Sequence, residues 1–280
     1  MPSTEAEAEA ARARALLEAG DSAAAAEACR RALALDPDCL AAHVALARAT
    51  LPGDDYLAWL SRFHAKLSPR TYLEIGVDAG RTLSLARPPT LVVGVDPAPV
   101  APLAFAAPTR TFPMESDAFF ASEEAARFDA QPVALAFVDG LHLFEQALRD
   151  FGNVEKRSSH ETVVLFHDCL PLDRATSSRE RRTGFWSGDV WKIVPILRRH
   201  RPDLEAFVIP AYPTGLAVVT RLDPKSTVLP ERFDEIVAEW RSVEWDESHR
   251  AAMPLVSNDA AAVMSRIKTP SPPVGGRGSG

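Results

Sequence analysis

Acids and histidines follow two of the apolar runs in the middle of the chain. Asp139 and His142 stand at the end of one run, in the sequence FVDGLH, and His167 and Asp168 end the next run, in VLFHD. An imidazole with a pKa near neutral can take a proton from a hydroxyl group, whereas carboxylates offer hard oxygen ligands to a divalent ion. The four side chains are therefore candidates for catalysis and for metal binding.

A glycine-containing turn lies upstream, in the segment TYLEIGVDAGRTLSLARPPTLVVGVDP that spans residues 71–97. An apolar run, a turn with Gly76 and Gly80, a short helix and a second apolar run are typical of a βαβ unit, whose ligand lies at the carboxyl ends of its strands. A dinucleotide-binding turn has the pattern GxGxxG, but Asp78 and Arg81 occupy its second and third glycine positions here. A pyrophosphate ligand is therefore disfavoured.

The acids of this segment favour another ligand. Glu74, two residues before the first glycine, would repel a pyrophosphate but suits a ligand that carries an ammonium group. Asp96 ends the second run, 20 residues after Gly76, where a carboxylate can accept hydrogen bonds from both ribose hydroxyls. An adenosine with an amino-acid tail and no phosphate meets these demands, and S-adenosylmethionine is such a molecule.

The pattern Glu74-x-Gly76-x-x-x-Gly80, followed by GVD with Asp96, resembles the first two motifs of the class I S-adenosylmethionine-dependent methyltransferases, in a variant whose middle glycine is replaced. The resemblance covers roughly residues 54–222. It implies S-adenosylmethionine as the cofactor, bound by Glu74, Gly76, Gly80 and Asp96.

In this family the loop after the third strand contacts the adenine, and Ser116 and Asp117 lie where such a polar pair is expected. The same two residues could equally form the N-cap of a helix over residues 118–128. FVDGLH, with the HD that follows about 25 residues later, resembles a subfamily that acts on small molecules and sugars. The resemblance thus implies O-methylation of a small molecule or of a sugar-containing metabolite.

Three roles for the acids and histidines remain open. A divalent ion, magnesium or another, held by Asp139, His167 and Asp168 could lower the pKa of an acceptor hydroxyl. Alternatively His142 or His167 could act as a metal-free base beside Asp139, or the histidines could be structural. His167 stands where metal-dependent relatives have a second acid, which leaves the kind of ion and the need for one open. A structural role is assigned to the remaining histidines, His43, His64, His160, His200 and His249.

The apolar runs and turn signals predict an α/β protein with the Rossmann-like class I methyltransferase fold, a mostly parallel seven-stranded sheet with helices on both faces. The predicted strands are 71–75, 91–95, 110–113, 132–138, 162–166 and a hairpin of 207–210 with 216–220. The predicted helices of this part are a short one opened by Arg81 and Thr82, then 56–67 with Asp54 as N-cap, 118–128, 143–151, 189–199, 230–240 and 259–267.

A small α-helical appendage is predicted ahead of the sheet, with helices over 11–19, 22–35 and 39–50. The spacing of its small residues resembles one tetratricopeptide repeat and the first helix of another. Such a segment could cap the catalytic domain or a second subunit, or bind a protein partner. The predicted division is a repeat-like segment (1–50), a methyltransferase domain (51–222), a C-terminal helical extension (223–267) and a disordered tail (268–280).

The segment 170–188 is polar and basic, with Phe185 and Trp186 near its end, and is predicted to be a long loop that covers the site as a lid. Trp186 and Trp191 could fill a core or, beside the basic residues of the loop, hold an aromatic or anionic substrate.

The composition indicates a soluble globular protein. A formal charge of −7 argues against a nonspecific nucleic-acid or anionic-membrane binder, so small molecules or proteins are the expected partners. Three scattered cysteines, no signal peptide and no apolar run long enough to span a membrane predict a cytoplasmic location.

Two other functions stay open beside the methyltransferase. One is a noncatalytic scaffold, in which the repeat-like helices bind a protein and the methyltransferase-like domain only senses the cofactor or has no role. The other is a methyltransferase-like fold that is used for hydroxylation.

Overall fold

Seven strands form a single sheet in the computed structural model, which describes residues 4–100 and 105–268. The strands are β1 (Thr71–Ile75), β2 (Leu91–Val95), β3 (Thr109–Phe112), β4 (Val133–Val138), β5 (Ser158–Phe166), β6 (Glu205–Ile209) and β7 (Leu216–Thr220). Their order across the sheet is β3-β2-β1-β4-β5-β7-β6, and β7 runs antiparallel to both of its neighbours.

The described helices precede, cross over or follow these strands. They are α1 (Thr4–Glu18), α2 (Ser22–Leu35), α3 (Leu40–Thr50), α4 (Tyr56–Leu67), α5 (Ser116–Ala121), α6 (Arg127–Ala130), α7 (Phe144–Lys156), α8 (Ile193–His200), α9 (Val228–Glu231), α10 (Phe233–Trp240), α11 (Glu247–Ala252) and α12 (Ala260–Arg266). Short 3₁₀ turns lie at Leu83–Leu85, Glu123–Ala126 and Val190–Lys192. None of the helices within the described ranges is long and apolar enough to cross a bilayer.

Apolar packing on both faces explains why the central strands are almost wholly hydrophobic. Leu73 and Ile75 of β1 point to a core built with α7 and α8, whereas Tyr72 belongs to a second core on the other face with α4 and α12. The predicted fold class is confirmed: a mostly parallel seven-stranded sheet has helices on both faces, and a helical appendage precedes it.

The appendage consists of α1, α2 and α3, which pack against one another around a small core of their own. This core contains mainly small side chains, Ala13, Ala26, Ala28, Cys29, Ala45 and Leu46. The tetratricopeptide resemblance and the domain boundaries stay predictions.

The predicted helix after Gly80 shortens to the single 3₁₀ turn at Leu83–Leu85. The Arg87 guanidinium donates to the carbonyl groups of Ser84, Leu85 and Ala86, and two prolines follow at once. Because proline cannot continue a helix, there is room for one turn only.

The predicted helix over 118–128 is divided by Ser122, whose backbone is extended. Its N-cap position is held by Glu115, so the N-cap prediction for Ser116 and Asp117 was wrong. The cap of α4 was also misplaced by one residue, since the Asp55 carboxylate accepts from the Ala58 amide while Asp54 pairs with Arg62.

A further element near the end of the chain differs from the prediction. Helix α11 was missed, although Asp246 caps it by accepting from the His249 amide. The predicted disordered tail, apart from Lys268, lies outside the described residues.

Gly76 occupies the point where β1 approaches the loop after β4 most closely. Its φ is +86°, and a Cβ atom there would lie 2.0 Å from the Asp139 carbonyl oxygen. Only glycine fits a position that combines a left-handed backbone with a neighbouring backbone this near.

We expect Gly76→Ala to lower the free energy of unfolding by at least ~2 kcal/mol, because the backbone must move and the conformation is strained. Urea unfolding followed by circular dichroism measures the change. Gly152→Ala is the matched control, because Gly152 lies inside α7 with nothing within 4 Å of its Cβ position, and alanine there should raise stability by up to ~1 kcal/mol. Equal stability of the two variants would contradict the close approach.

Candidate active site

Hydrogen bonding continues one residue beyond each of four parallel strands. The amides of Gly76, Asp96, Asp139 and His167 donate to the last carbonyl of the neighbouring strand over 2.8–3.2 Å. Each of these residues directly follows its strand, so the sheet itself fixes their backbones in a row along one edge.

A cavity of about 660 Å³ opens at this edge. Of the residues predicted to bind the cofactor, Gly76, Asp96, Ser116 and Asp117 line it, whereas Glu74 and Gly80 do not. Of the predicted catalytic and metal-binding residues, Asp139 lines it. Its other lining residues are Tyr56, Ile75, Val77, Asp78, Ala79, Arg81, Thr82, Val95, Pro97, Glu115, Gly140, Leu141 and Gln146.

Asp96 organises the turn after β1. Its Oδ2 accepts hydrogen bonds from the amides of Val77 and Asp78 at 2.8 and 2.9 Å, and its Oδ1 accepts from the Ala98 amide at 2.7 Å. One carboxylate thus gathers three backbone amides around it. The carboxylate therefore shapes the wall of the cavity as well as lining it.

Glu74 lies behind that wall and is fully buried. The hydroxyl groups of Tyr72 and Thr82 each donate to one of its carboxylate oxygens at 2.5 Å. Burial raises the pKa of Glu74 to about 8, although both hydrogen bonds oppose the shift. Thr82, which lines the cavity, separates Glu74 from the space where a ligand would lie.

Gln146 joins the two residues that were predicted to contact an adenine. Its Nε2 lies 3.1 Å from both Ser116 Oγ and Asp117 Oδ1, and 3.2 Å from Asp150 Oδ1. Burial raises the pKa of Asp150 to about 7. Sequence reasoning missed Gln146, because a polar residue in the first turn of a helix carries no signal of its own.

The second polar group is a compact cluster of Asp139, His142, His167 and Asp168. His142 Nδ1 lies 3.2 Å from Asp168 Oδ2. His167 Nδ1 lies 3.2 Å from Asp139 Oδ1 and 3.5 Å from Asp168 Oδ1. The Thr214 hydroxyl donates to Asp168 Oδ1 at 2.6 Å. All four predicted residues therefore meet at the ends of β4 and β5.

Charge compensation is strong at the two buried members of this cluster, His167 and Asp168. Burial disfavours a charged His167, but the carboxylates of Asp139 and Asp168 outweigh it and raise the pKa of the imidazole well above its usual value. The pKa of Asp168 is lowered in turn: burial raises it, while the two histidines lower it by more.

One ligand atom each from Asp139, His142 and Asp168 lie within 4.8 Å of one another. Among them, His142 Nδ1 and Asp168 Oδ2 are buried without a hydrogen-bond partner. Two oxygens and one imidazole nitrogen suit a divalent cation, so these residues fit an ion. The structure brings His142 into this group in the place where the sequence predicted His167, which instead lies between the two carboxylates.

Two aromatic rings cover the histidines. Trp186 stacks on His142 at a centroid distance of 5.1 Å, and Tyr56 packs on His167 at 4.4 Å. The Trp186 indole nitrogen donates to the Ser178 carbonyl at 2.6 Å. Trp186 thus contacts the site, as its place on the predicted lid suggested, whereas Tyr56 was predicted only as the first residue of a helix.

Residues 73–169 match the family model of a methyltransferase domain, about a third of the chain. The match confirms the predicted enzyme class, a methyltransferase, for this part of the chain. No protein of curated function matches the chain significantly.

Several solved structures are similar over most of their length. Cofactor-bound Rv0187 from MTB is 17% identical over 67% of this chain and 91% of its own, with a TM-score of 0.45. An O-methyltransferase from Bacillus cereus in complex with SAH is 15% identical over 62% of this chain and 86% of its own, with a TM-score of 0.41. The O-methyltransferase TomG from Streptomyces achromogenes, in complex with SAM, is 16% identical over 72% of this chain and 90% of its own, with a TM-score of 0.42. At these identities and TM-scores the likeness bears on neither the substrate nor the ion.

The raised pKa of Glu74 makes stability depend on pH. Between its usual 4.5 and about 8 the unfolded chain loses this proton while the folded chain keeps it, so the Glu74 contribution to the free energy of unfolding falls as pH rises across that range. Glu74→Gln does not titrate and should lack this fall. Urea unfolding of both proteins at pH 5 and pH 8 measures the difference, and parallel pH dependences would contradict a carboxyl protonated at neutral pH.

Proposed function

We propose that the protein transfers the methyl group of S-adenosylmethionine to a hydroxyl oxygen of a small molecule, a sugar-containing metabolite being one candidate class. One observation carries the proposal: Asp139 lines the cavity that begins at the glycine turn and also belongs to the polar cluster with His142 and Asp168. A cofactor on the turn and an acceptor on the cluster would therefore lie next to each other.

The charge of the cavity supports this cofactor. Its lining contains the carboxylates of Asp78, Asp96, Glu115, Asp117 and Asp139, against the single guanidinium of Arg81. Such a surplus of negative charge repels phosphates and attracts cations. S-adenosylmethionine carries a sulfonium and an ammonium group and no phosphate, so its charge complements the wall.

The acceptor hydroxyl needs a group that takes its proton as the methyl group moves in line from sulfur to oxygen. His142 can take it on Nε2, because Asp168 Oδ2 lies 3.2 Å from Nδ1 and stabilises the imidazolium that results. His167 is held between two carboxylates and serves to balance their charge. Trp186 stacks on the His142 ring and Tyr56 packs on the His167 ring, so both aromatic side chains would lie beside the acceptor.

A divalent ion would be held by Asp139, His142 and Asp168. When bound, it lowers the pKa of a hydroxyl group that it contacts. The two modes exclude each other at His142, since an imidazole that binds an ion through Nδ1 carries its proton on Nε2 and cannot act as a base there. Chelation therefore distinguishes them.

We expect the wild-type protein to bind S-adenosylmethionine and S-adenosylhomocysteine, and Asp96→Ala to weaken both. The variant loses charged hydrogen bonds that shape the turn, worth about 1.5–3 kcal/mol, or roughly 10- to 100-fold in affinity. Isothermal titration calorimetry measures the affinities for both molecules. Asp129→Ala, at an exposed acid of α6 outside the cavity lining, is the matched control and should bind like wild type. Equal affinity of the two variants, or no binding by the wild type, would refute the cofactor site.

Asp139→Asn and Asp168→Asn should lower the transfer rate by a factor of ~10² to 10³, with cofactor affinity unchanged within a few-fold. Both carboxylates belong to the polar cluster where the acceptor is proposed to bind, so they would act on the reacting oxygen. Mass spectrometry of hydroxylated sugars, phenols and peptide-linked metabolites, screened for a gain of one methyl group, identifies the acceptor for this assay.

Excess EDTA then decides between the two modes. Loss of activity that magnesium, manganese or iron restores indicates the ion, whereas full activity without rescue leaves His142 as the base. A protein that binds the cofactor but methylates none of these acceptors would favour the noncatalytic scaffold.

A further inference from the structure

The long loop between β5 and α8 is fixed to two parts of the molecule at once. We call residues 170–188 the strap. On one side, its Gly184 amide donates to Asp38 Oδ1 at 2.5 Å, and Asp38 lies in the turn between α2 and α3 of the appendage. The Phe185 ring stacks on His43 of α3 at 5.7 Å with an interplanar angle of 18°.

The strap contacts the appendage through buried and apolar side chains. His43 is 1% exposed, and Leu172 of the strap packs against the small core of the appendage. Burial lowers the pKa of His43, although Asp173 nearby opposes the shift. His43 is therefore a neutral ring at neutral pH, and its contact with Phe185 is one of aromatic packing.

On the other side, the strap lies directly on the candidate active site. Trp186, the residue after Phe185, stacks on His142 at 5.1 Å with an interplanar angle of 21°. At Gly188 a Cβ atom would lie 1.9 Å from the His142 carbonyl oxygen, so the two backbones touch. Consecutive aromatic residues thus contact the appendage and the site.

Other contacts hold the first part of the strap against the methyltransferase domain. At its start, the Leu170 amide donates a hydrogen bond to the Thr214 carbonyl beside the polar cluster. Further along, the Arg179 guanidinium donates to the carboxylates of Glu145 and Asp189. The segment 181–186 has no helix or strand of its own. Within the strap the Trp186 indole donates to the Ser178 carbonyl. Asp38 and His43 hold the two preceding residues, Gly184 and Phe185, on the appendage.

We propose that Asp38 and His43 are positioning residues of the acceptor site, which hold the strap so that Trp186 covers His142. The inference rests on the proposed function for the identity of that site. It gives the appendage a role in acceptor binding, although none of its described residues lines the cavity. Without these contacts the indole leaves His142, and acceptor binding weakens while cofactor binding does not.

The first experiment measures the cover on His142 directly and needs no acceptor. Diethyl pyrocarbonate modifies accessible neutral imidazoles, and mass spectrometry of the digested full chain, treated in EDTA, gives the rate at each histidine. We expect Asp38→Ala to raise the rate at His142 several-fold. Asp38→Asn keeps the accepting oxygen and should behave like wild type, and His160, exposed on β5, serves as the internal reference.

A second variant covers the case in which Asp38→Ala disturbs the turn of the appendage. Phe185→Ala removes the ring that stacks on His43 and leaves α1, α2 and α3 unchanged, and it should also expose His142. An unchanged rate at His142 in both variants, with His160 also unchanged, would overturn the proposal.

The kinetic consequence separates positioning from a general loss of stability. For the acceptor found by mass spectrometry, Asp38→Ala should raise KM several-fold while calorimetric affinity for S-adenosylmethionine stays within a few-fold of wild type. A change in kcat and cofactor affinity without a change in acceptor KM would contradict the positioning role of Asp38. If no methyl transfer is found but His142 still becomes exposed, the proposed function fails and the contact between appendage and site stands.

Discussion

The functional residues depend on a hydrogen-bonding ladder that extends one residue past the ends of the parallel strands. Gly76, Asp96, Asp139 and His167 each donate an amide proton to the last carbonyl of the neighbouring strand. Parallel strands lie ~4.8 Å apart, so the ladder sets the spacing of these residues before any side chain packs. Groups held by a sheet in this way are placed more accurately than groups on a free loop.

The same edge concentrates negative charge, and each carboxylate is stabilised by different means. Asp96 accepts three amide hydrogen bonds, whereas Glu74 is buried with two hydroxyl donors and burial raises its pKa to about 8. Asp168 is stabilised by the charge of His167 and by Thr214. What stays uncompensated lies on the cavity wall, where a cationic ligand would supply the missing charge.

The sequence predicted the central strands well because the strand residues themselves carry the signal. β1 is buried at all five residues and β2 at four of five, so both are rich in apolar residues, and their limits agree residue for residue with the prediction. Helices with few buried residues give no such signal. α11 buries none of its side chains and was missed, and Ser122 divides the helix that was predicted over residues 118–128.

The site was predictable where acids follow apolar runs, and not where distant segments meet. Asp139 and Asp168 could be placed at one edge because parallel strands end together. The partners of Trp186 and Gly184 could not, since His142 lies 44 residues from one and Asp38 lies 146 residues from the other. The two roles considered for the appendage, a cap or a partner surface, also left out its contact with the strap. Because the strap reaches the appendage through Phe185 and the site through Trp186, helices outside the cavity bear on the acceptor side of the site.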